Sequence, residues 1–128
     1  MPALFDPAWL LHADPALLVL EKPSGLLSQP GLGPGLSASL ITAVQSQWPE
    51  ARLVHRLDRD TSGLMVVARS AAVHRQLSVA FADRQVEKRY VADVSGVPTE
   101  GQGWIEFPIA KRQHRPPLYG VDPAGKPC

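Results

Sequence analysis

The protein has 128 residues, of which 45% are hydrophobic and 20% are charged, a composition typical of a folded domain with one hydrophobic core. No run of about 18 apolar residues is present, and the N-terminus does not resemble a secretory signal, so we expect no membrane segment. The single cysteine, Cys128, excludes an internal disulfide framework and a cysteine-rich zinc site, and these features together predict a cytoplasmic protein.

Charge is unevenly distributed along the chain, although the formal net charge is only +1. Residues 1–50 contain one basic residue, Lys22, and four acidic residues, whereas residues 51–128 contain the other twelve basic and eight acidic residues. A basic segment can face the phosphates of a nucleic acid, but the same pattern is typical of an ordinary solvated surface. The charge distribution alone favours an ordinary solvated surface. It supports nucleic-acid binding only in combination with other features of the sequence.

The first predicted elements are a strand and a helix. Residues 17–20 form a short apolar run between turn-forming residues, which predicts a buried strand. Apolar residues then recur at every fourth position over residues 36–48, and this spacing predicts a helix. Ser37 is a suitable N-cap for that helix, and Pro49 would end it.

A second strand and a second helix are predicted after a turn-rich stretch. Residues 64–68 are continuously apolar and follow a cluster of turn formers, so they predict another buried strand. From Ser70 onward, apolar residues fall on one helical face with Ser70 as the N-cap, and the pattern ends near Arg84.

The last third of the chain has strand and loop patterns. Residues 87–96 alternate between apolar and polar positions, and residues 104–109 follow a glycine-containing turn, so both segments are predicted to be strands. Residues 113–127 are predicted to be mainly loop. The order strand, helix, strand, helix, strand, strand indicates an α+β or mixed-sheet domain without an internal repeat.

Several kinds of chemistry find no support in the sequence. Residues 31–35 are rich in glycine, but they lack the spacing and the Lys-Ser/Thr ending of a phosphate-binding loop. Residues 60–63 resemble an aspartic-protease loop only superficially, because no second copy supplies the paired carboxylate. The histidines are too widely spaced for a helix-borne metal pair, so we expect no metal site. They are His12, His55, His74 and His114.

Residues 55–64 (HRLDRDTSGL) differ from the rest, because they concentrate an acid, cations and hydroxyl residues in a loop beside a predicted strand. This run is similar to the motif of RluA-type RNA pseudouridine synthases, in which the aspartate of His-Arg-Leu-Asp is catalytic. Residues 21–27 (EKPSGLL) resemble the first motif of that family, and residues 88–92 (KRYVA) resemble its lysine-x-tyrosine motif. Residues 125–127 (GKP) resemble a further family segment, so the resemblance covers nearly the whole chain.

The resemblance implies an enzyme that isomerises uridine to pseudouridine in structured rRNA or tRNA after flipping the base out of its stack. Within the family, the sequence of residues 22–28 is most similar to that of the branch that modifies a tRNA anticodon loop and a similar large-subunit rRNA loop. The implied fold is the pseudouridine synthase fold, with a mixed, mainly antiparallel sheet flanked by helices. The reaction requires no cofactor and no metal, and we expect a monomer. Residues 15–128 are predicted to belong to the catalytic domain, after an N-terminal extension at residues 1–14.

Asp58 takes the position of the family's catalytic aspartate. A carboxylate at this point can act as a nucleophile or stabilise charge on the sugar, and the sequence does not decide between the two. Tyr90 matches the family's tyrosine, which packs against the flipped base and helps to move a proton. Without the resemblance, Asp58 would be interpreted as a turn residue that caps local amides, and Tyr90 as a core aromatic residue.

A set of basic residues is predicted to bind RNA on the same basis. The resemblance places Arg56 in the space that the flipped uridine leaves, with a surface ion pair to Asp58 or Asp60 as the alternative. For the other residues, contacts with phosphate and ordinary solvated side chains both remain open, and for Lys22 and Lys88 support of the site is a further alternative. The predicted RNA-binding residues are Arg56, Lys22, Arg59, Lys88 and Arg89.

The chain also departs from the family. Full-length members continue into a segment similar to Thr-Gly-Arg-x-His-Gln, whose arginine pairs with the catalytic aspartate and whose strands complete the sheet. This sequence does not contain that segment, which predicts a C-terminally truncated and incomplete domain. A second hypothesis is therefore a noncatalytic RNA-binding remnant of the family, and a third is a plain structural or interaction domain.

Overall fold

The computed structural model describes residues 4–33, 35–114 and 117–121, with side chains described up to residue 110. Its elements fall into two units, Met1–Arg89 and Tyr90–Cys128. The division between Arg89 and Tyr90 falls inside the catalytic domain that we predicted for residues 15–128. Each unit is therefore described by itself.

The first unit is built on a four-stranded antiparallel sheet with the order β1-β2-β4-β3. The central pair, β2 and β4, is in register from Leu17 opposite Ala68 to Lys22 opposite Gly63. The end of β2 and the start of β4 therefore lie at the same edge of the sheet. The strands are β1 (Leu10–Ala13), β2 (Leu17–Lys22), β3 (Arg52–Leu53) and β4 (Gly63–Ala68).

Two α-helices accompany this sheet, α1 (Leu40–Gln45) and α2 (Ala71–Ala82), and a short 3-10 helix (Pro7–Trp9) precedes β1. Apolar side chains from β2, β4 and α1 form one buried core, and each large side chain contributes about 1.5–3 kcal/mol to folding. Core members include Leu18, Leu20, Leu40, Val44, Met65 and Val67. Within the described part of the chain, no helix is long and apolar enough to cross a membrane.

The strongest sequence patterns of the first unit are confirmed. The apolar runs at residues 17–20 and 64–68 lie in β2 and β4. Helix α2 begins after Ser70, whose hydroxyl accepts a hydrogen bond from Val73 N at 3.2 Å, and it ends just before the predicted limit. The mainly antiparallel sheet with helices also agrees with the α+β prediction.

Helix α1 is shorter than predicted for residues 36–48. Its N-cap is Ser39 and not Ser37, because Ser39 and Thr42 form a reciprocal capping box. The helix ends at Gln45, and turns fill the interval before Pro49. The prediction was wrong at both ends because the apolar spacing also continues through the loop and turn residues on either side.

Strand β1 was not predicted, and it lies within residues 1–14, which were predicted to be an N-terminal extension. Leu10–Ala13 pairs with β2, so this segment is an edge strand of the same sheet. A nearby aromatic cluster joins Phe5, Trp9 and Trp48 in edge-to-face contacts, with ring centroids 5.9 and 5.3 Å from Phe5. The burial pattern of β1 explains the omission, because three of its four residues are exposed and carry no apolar alternation.

The second unit contains an antiparallel hairpin of β5 (Ile109–His114) and β6 (Pro117–Val121). Residues 87–108 adopt no helix or strand, so the strand predicted at residues 87–96 was wrong and the one at 104–109 survives only at its last residue. A strand requires a hydrogen-bonded neighbour, and alternation alone does not supply one. The loop prediction for residues 113–127 was wrong where the hairpin forms, and residues 122–127 lie outside the described part.

Candidate active site

Lys22 joins the end of β2 to the loop that carries Asp58. Its side chain is fully buried, and its ammonium group donates to the carbonyl oxygens of Pro23, Leu26 and Arg59 at 2.9, 2.6 and 2.8 Å. An ammonium group has three N–H donors, so these bonds use all of them. The loop is thereby held from its inner side by a cation that has no donor left for a ligand.

The electrostatic setting of Lys22 combines two opposing effects. Burial lowers its pKa, while the nearby carboxylates of Asp60 and Asp58 raise it in part. The charged form is the one that can donate all three hydrogen bonds. Of the two site roles predicted for Lys22, the buried and fully paired side chain fits support of the loop and does not fit the predicted RNA contact.

The first motif makes two more contacts with the same loop. The backbone N–H of Gly25 donates to Arg59 O at 2.8 Å, and the hydroxyl of Ser24 donates to Asp60 O at 2.8 Å. Gly25 has a φ of +90°, a conformation that L-residues with a side chain rarely adopt. The two motifs at residues 21–27 and 55–64 are thus one structural site, although the chain separates them.

Ser28 holds the residue immediately before Asp58, a role that the sequence analysis missed. Its buried hydroxyl donates to Leu57 O at 2.6 Å and accepts from Leu57 N at 3.0 Å. A hydroxyl group can donate and accept at once, so one side chain satisfies both backbone groups of Leu57. The sequence does contain a serine directly after the first motif. A single hydroxyl residue does not, however, predict a buried side chain that bonds to a distant backbone.

His55 anchors the other end of the motif. Its Nε2 accepts a hydrogen bond from Val66 N at 3.0 Å, and its ring stacks on Phe81 with a centroid distance of 4.4 Å and an angle of 16°. Burial lowers the pKa of His55, and the positive charge of Lys88 lowers it further. The acceptor role of Nε2 places the proton of the neutral ring on Nδ1.

Asp58 lies on the exposed side of this anchored loop. Its backbone carbonyl accepts a hydrogen bond from Thr61 N at 3.1 Å, so the main chain holds the turn. Among the residues with described side chains, no cation lies within 4.0 Å of its carboxylate. A solvent-facing carboxylate on a rigid loop is suited to contact a substrate that comes from solution.

The remaining predicted RNA-binding side chains of the first unit are exposed. Arg56 forms no ion pair with Asp58 or Asp60 in the described region, so the surface-pair alternative is not observed. Arg59 pairs with Asp60 at 3.4 Å, but both side chains are largely in water and such pairs contribute little. The roles of Arg56 and Arg59 toward RNA remain predictions.

The third motif spans the division between the two units. Lys88 lies 5.6 Å from the centroid of the Phe81 ring, within the range of a cation–π contact. Arg89 is exposed at the end of the first unit, and Tyr90 begins the second. The strand predicted at residues 87–96, which was to hold the Tyr90 ring in place, is not formed. The catalytic role of Tyr90 and the RNA contacts of Lys88 and Arg89 therefore stay predictions.

Comparison with known proteins decides the family. Residues 16–127 match the family model described as RNA pseudouridylate synthase. The chain belongs to this family. The resemblance to RluA-type pseudouridine synthases, which rested on three short motifs, is thereby confirmed over most of the sequence.

Individual members of the RNA pseudouridylate synthase family are similar at a moderate level. The chain is 41% identical over 123 residues to the dual-specificity RNA pseudouridine synthase RluA of Salmonella typhi and to that of Escherichia coli K12. Each alignment covers 94% of this chain and 56% of the relative. Ribosomal large subunit pseudouridine synthase D of Haemophilus ducreyi is 32% identical over 128 residues, which are 95% of this chain and 39% of the relative.

A solved structure confirms the fold. Human RNA pseudouridylate synthase domain containing 4 matches with a TM-score of 0.65 at 23% identity, over 94% of this chain and 47% of that chain. The predicted pseudouridine synthase fold is therefore correct. The chain spans about half the length of the curated relatives that it matches.

Proposed function

We propose that this protein isomerises uridine to pseudouridine in structured RNA, with Asp58 as the catalytic carboxylate. One observation carries the proposal: the exposed Asp58 lies on a loop that three buried or half-buried side chains hold in place. Lys22 supports it from within, Ser28 clamps Leu57, and His55 ties the preceding residues to β4. Such support limits the positions of the carboxylate before a substrate binds, which is the arrangement expected of a catalytic group.

The chemistry requires one bond to break and another to form. The glycosidic bond between N1 of uracil and C1′ of the ribose breaks, and a bond between C5 and C1′ replaces it. The hydrogen at C5 leaves as a proton and N1 gains a proton, so the product is an isomer of uridine and the reaction needs no oxidant or reductant. Asp58 serves as the nucleophile in this proposal: its carboxylate bonds to C1′ as the bond to N1 breaks, and it leaves again as C5 bonds to C1′. Stabilisation of positive charge on the sugar is the alternative role for the same carboxylate.

RNA is the proposed substrate class because the matched family and relatives are named for RNA. The names of these relatives favour a ribosomal RNA target. The similarity of residues 22–28 to the branch that modifies a tRNA loop favours a tRNA loop as a second target. The target uridine must be flipped to expose C1′ and C5. Arg56 is exposed two residues before Asp58, where its guanidinium group can occupy the gap in the base stack.

Tritium release from RNA labelled at C5 of uridine tests the proposal, since the new bond to C5 must expel that hydrogen. We expect release from rRNA or tRNA transcripts by the parent chain and none by Asp58→Asn. Asp60→Asn is the matched control, because it removes another exposed carboxylate two residues away. Equal release by Asp58→Asn, or no release by the parent, would contradict the proposal.

A noncatalytic RNA-binding protein is the second candidate, and one observation favours it. No cation lies within 4.0 Å of the Asp58 carboxylate in the described region, so no ion pair there orients this group. This candidate expects salt-sensitive RNA binding that Asp58→Asn leaves unchanged, together with no tritium release from the parent chain.

A further inference from the structure

A second polar surface lies along helix α2, outside the Asp58 loop. An open groove of about 430 Å³ runs between β3 and one face of α2. Its polar lining comprises Arg52 from the strand and His74, Arg75 and Ser78 from the helix. None of these residues belongs to the three family motifs.

Helical spacing places the groove side chains together. Positions 71, 75, 78 and 82 follow one another at three- or four-residue spacing, and position 74 lies four residues before 78, so these side chains share one face of α2. His74 fixes this face against the sheet, because its Nε2 lies 2.9 Å from Leu53 O. A carbonyl oxygen only accepts, so the Nε2–H of His74 is the donor, and the strand and helix that form the groove are held together.

The groove presents positive charge that the described residues do not neutralise. Arg52 and Arg75 are exposed, and no described carboxylate lies within 4.0 Å of either guanidinium group. Helix α2 itself contains no acidic residue. By contrast, Arg69 pairs with Glu50 at 3.1 Å and also donates to Asp14 O at 2.8 Å, which is the pattern of a structural arginine.

The direction of α2 connects this groove with the candidate active site. The helix is roughly 18 Å long at 1.5 Å per residue. Its first residue follows closely on the end of β4, and its last turn contains Phe81, which stacks on His55. His55 lies three residues before Asp58, so the groove leads from β3 toward the catalytic loop.

We propose that this groove binds the sugar–phosphate backbone of the RNA that flanks the modified uridine. The inference rests on the proposed function, and it assigns the substrate a second contact surface. The guanidinium groups of Arg52 and Arg75 match phosphate oxygens in a forked geometry, and the Ser78 hydroxyl can donate to another. Val79 and Ala82 supply apolar contacts for the ribose at the end nearest the loop.

RNA binding over a range of salt concentrations tests this groove. We expect Arg52→Gln and Arg75→Gln each to weaken RNA binding about 3- to 5-fold near 0.15 M salt, and to reduce the salt slope by about 0.7. Arg84→Gln is the control, since it removes one cation from the turn after α2 without touching the groove lining. Thermal unfolding followed by circular dichroism verifies that each variant is folded.

The outcomes separate this inference from the proposed function. At subsaturating RNA, the groove variants should release tritium more slowly in proportion to their weaker binding, whereas Asp58→Asn should release none at any RNA concentration. Parent-like affinity and salt slope in Arg52→Gln and Arg75→Gln would overturn the groove inference, even with an active enzyme. An equal loss in Arg84→Gln, or a parent chain that does not bind RNA, would overturn it as well.

Discussion

The Nζ of Lys22 and the carbonyl oxygen of Arg59 lie 2.8 Å apart, although 37 positions separate the two residues in the chain. This hydrogen bond ties the end of β2 to the residue that follows Asp58. A buried ammonium group is costly unless each donor is paired, and here three carbonyl oxygens pair it. The candidate catalytic loop and the sheet are therefore parts of one folded structure.

Replacement of Lys22 by methionine tests its role as a support. Methionine fills a similar volume but cannot donate, so three carbonyl acceptors lose their partner. We expect the free energy of unfolding to fall by about 2–4 kcal/mol, measured by urea denaturation. Among the molecules that remain folded, the salt slope of RNA binding should equal that of the parent. Full stability with a slope reduced by about 0.7 would indicate a phosphate ligand instead.

Ser28→Ala should loosen the clamp on Leu57. The substitution removes the partner of one buried N–H and one buried C=O, so we expect a loss of about 1–3 kcal/mol in the free energy of unfolding. Ser24→Ala is the matched control, because its hydroxyl also contacts this loop but is exposed to water. Equal effects of the two substitutions on urea denaturation would argue against a special role for Ser28.

The pH dependence of stability should report the buried ring of His55. The pKa of His55 is lowered in the folded state, whereas an unfolded histidine titrates near 6.5. As pH falls below 6.5, the unfolded state binds a proton first, so stability is complete above that pH and decreases toward the folded pKa. His55→Gln removes the titration, and the difference between its unfolding free energy and that of the parent should vary between pH 8 and pH 5. Parallel profiles would contradict this.

Asp14 should determine part of the acid sensitivity at lower pH. Its pKa is lowered from 3.8 to about 2, chiefly by a hydrogen bond from His12 and then by the backbone N–H groups of Leu17 and Ala16. This stabilisation is present above pH 3.8 and is lost as pH falls through about 2, because protonation removes the acceptor. Asp14→Asn should flatten acid unfolding in this window, measured by circular dichroism, and an unchanged acid profile would refute the assignment.

Much of the first unit could be predicted from its sequence because the decisive patterns are local. The apolar runs of β2 and β4 are short and bounded by turn formers, and Ser70 with the spacing after it defines α2. The three family motifs also identified the family before any contact was known. Each of these signals depends on neighbours within a few positions.

Tertiary structure alone decided the features that depend on distant partners. The sequence left Lys22 open between a phosphate contact, a solvated side chain and a support for the site, and only burial with three carbonyl acceptors identifies it as a support for the loop. The clamp of Ser28 and the groove at Arg52 likewise join segments far apart in the chain. Alternation at residues 87–96 did not produce a strand, because strand formation requires a hydrogen-bonded neighbour that local sequence cannot provide. The sequence by itself therefore determined the family and the local elements, whereas long-range contacts determined which polar groups face solvent and which hold the site.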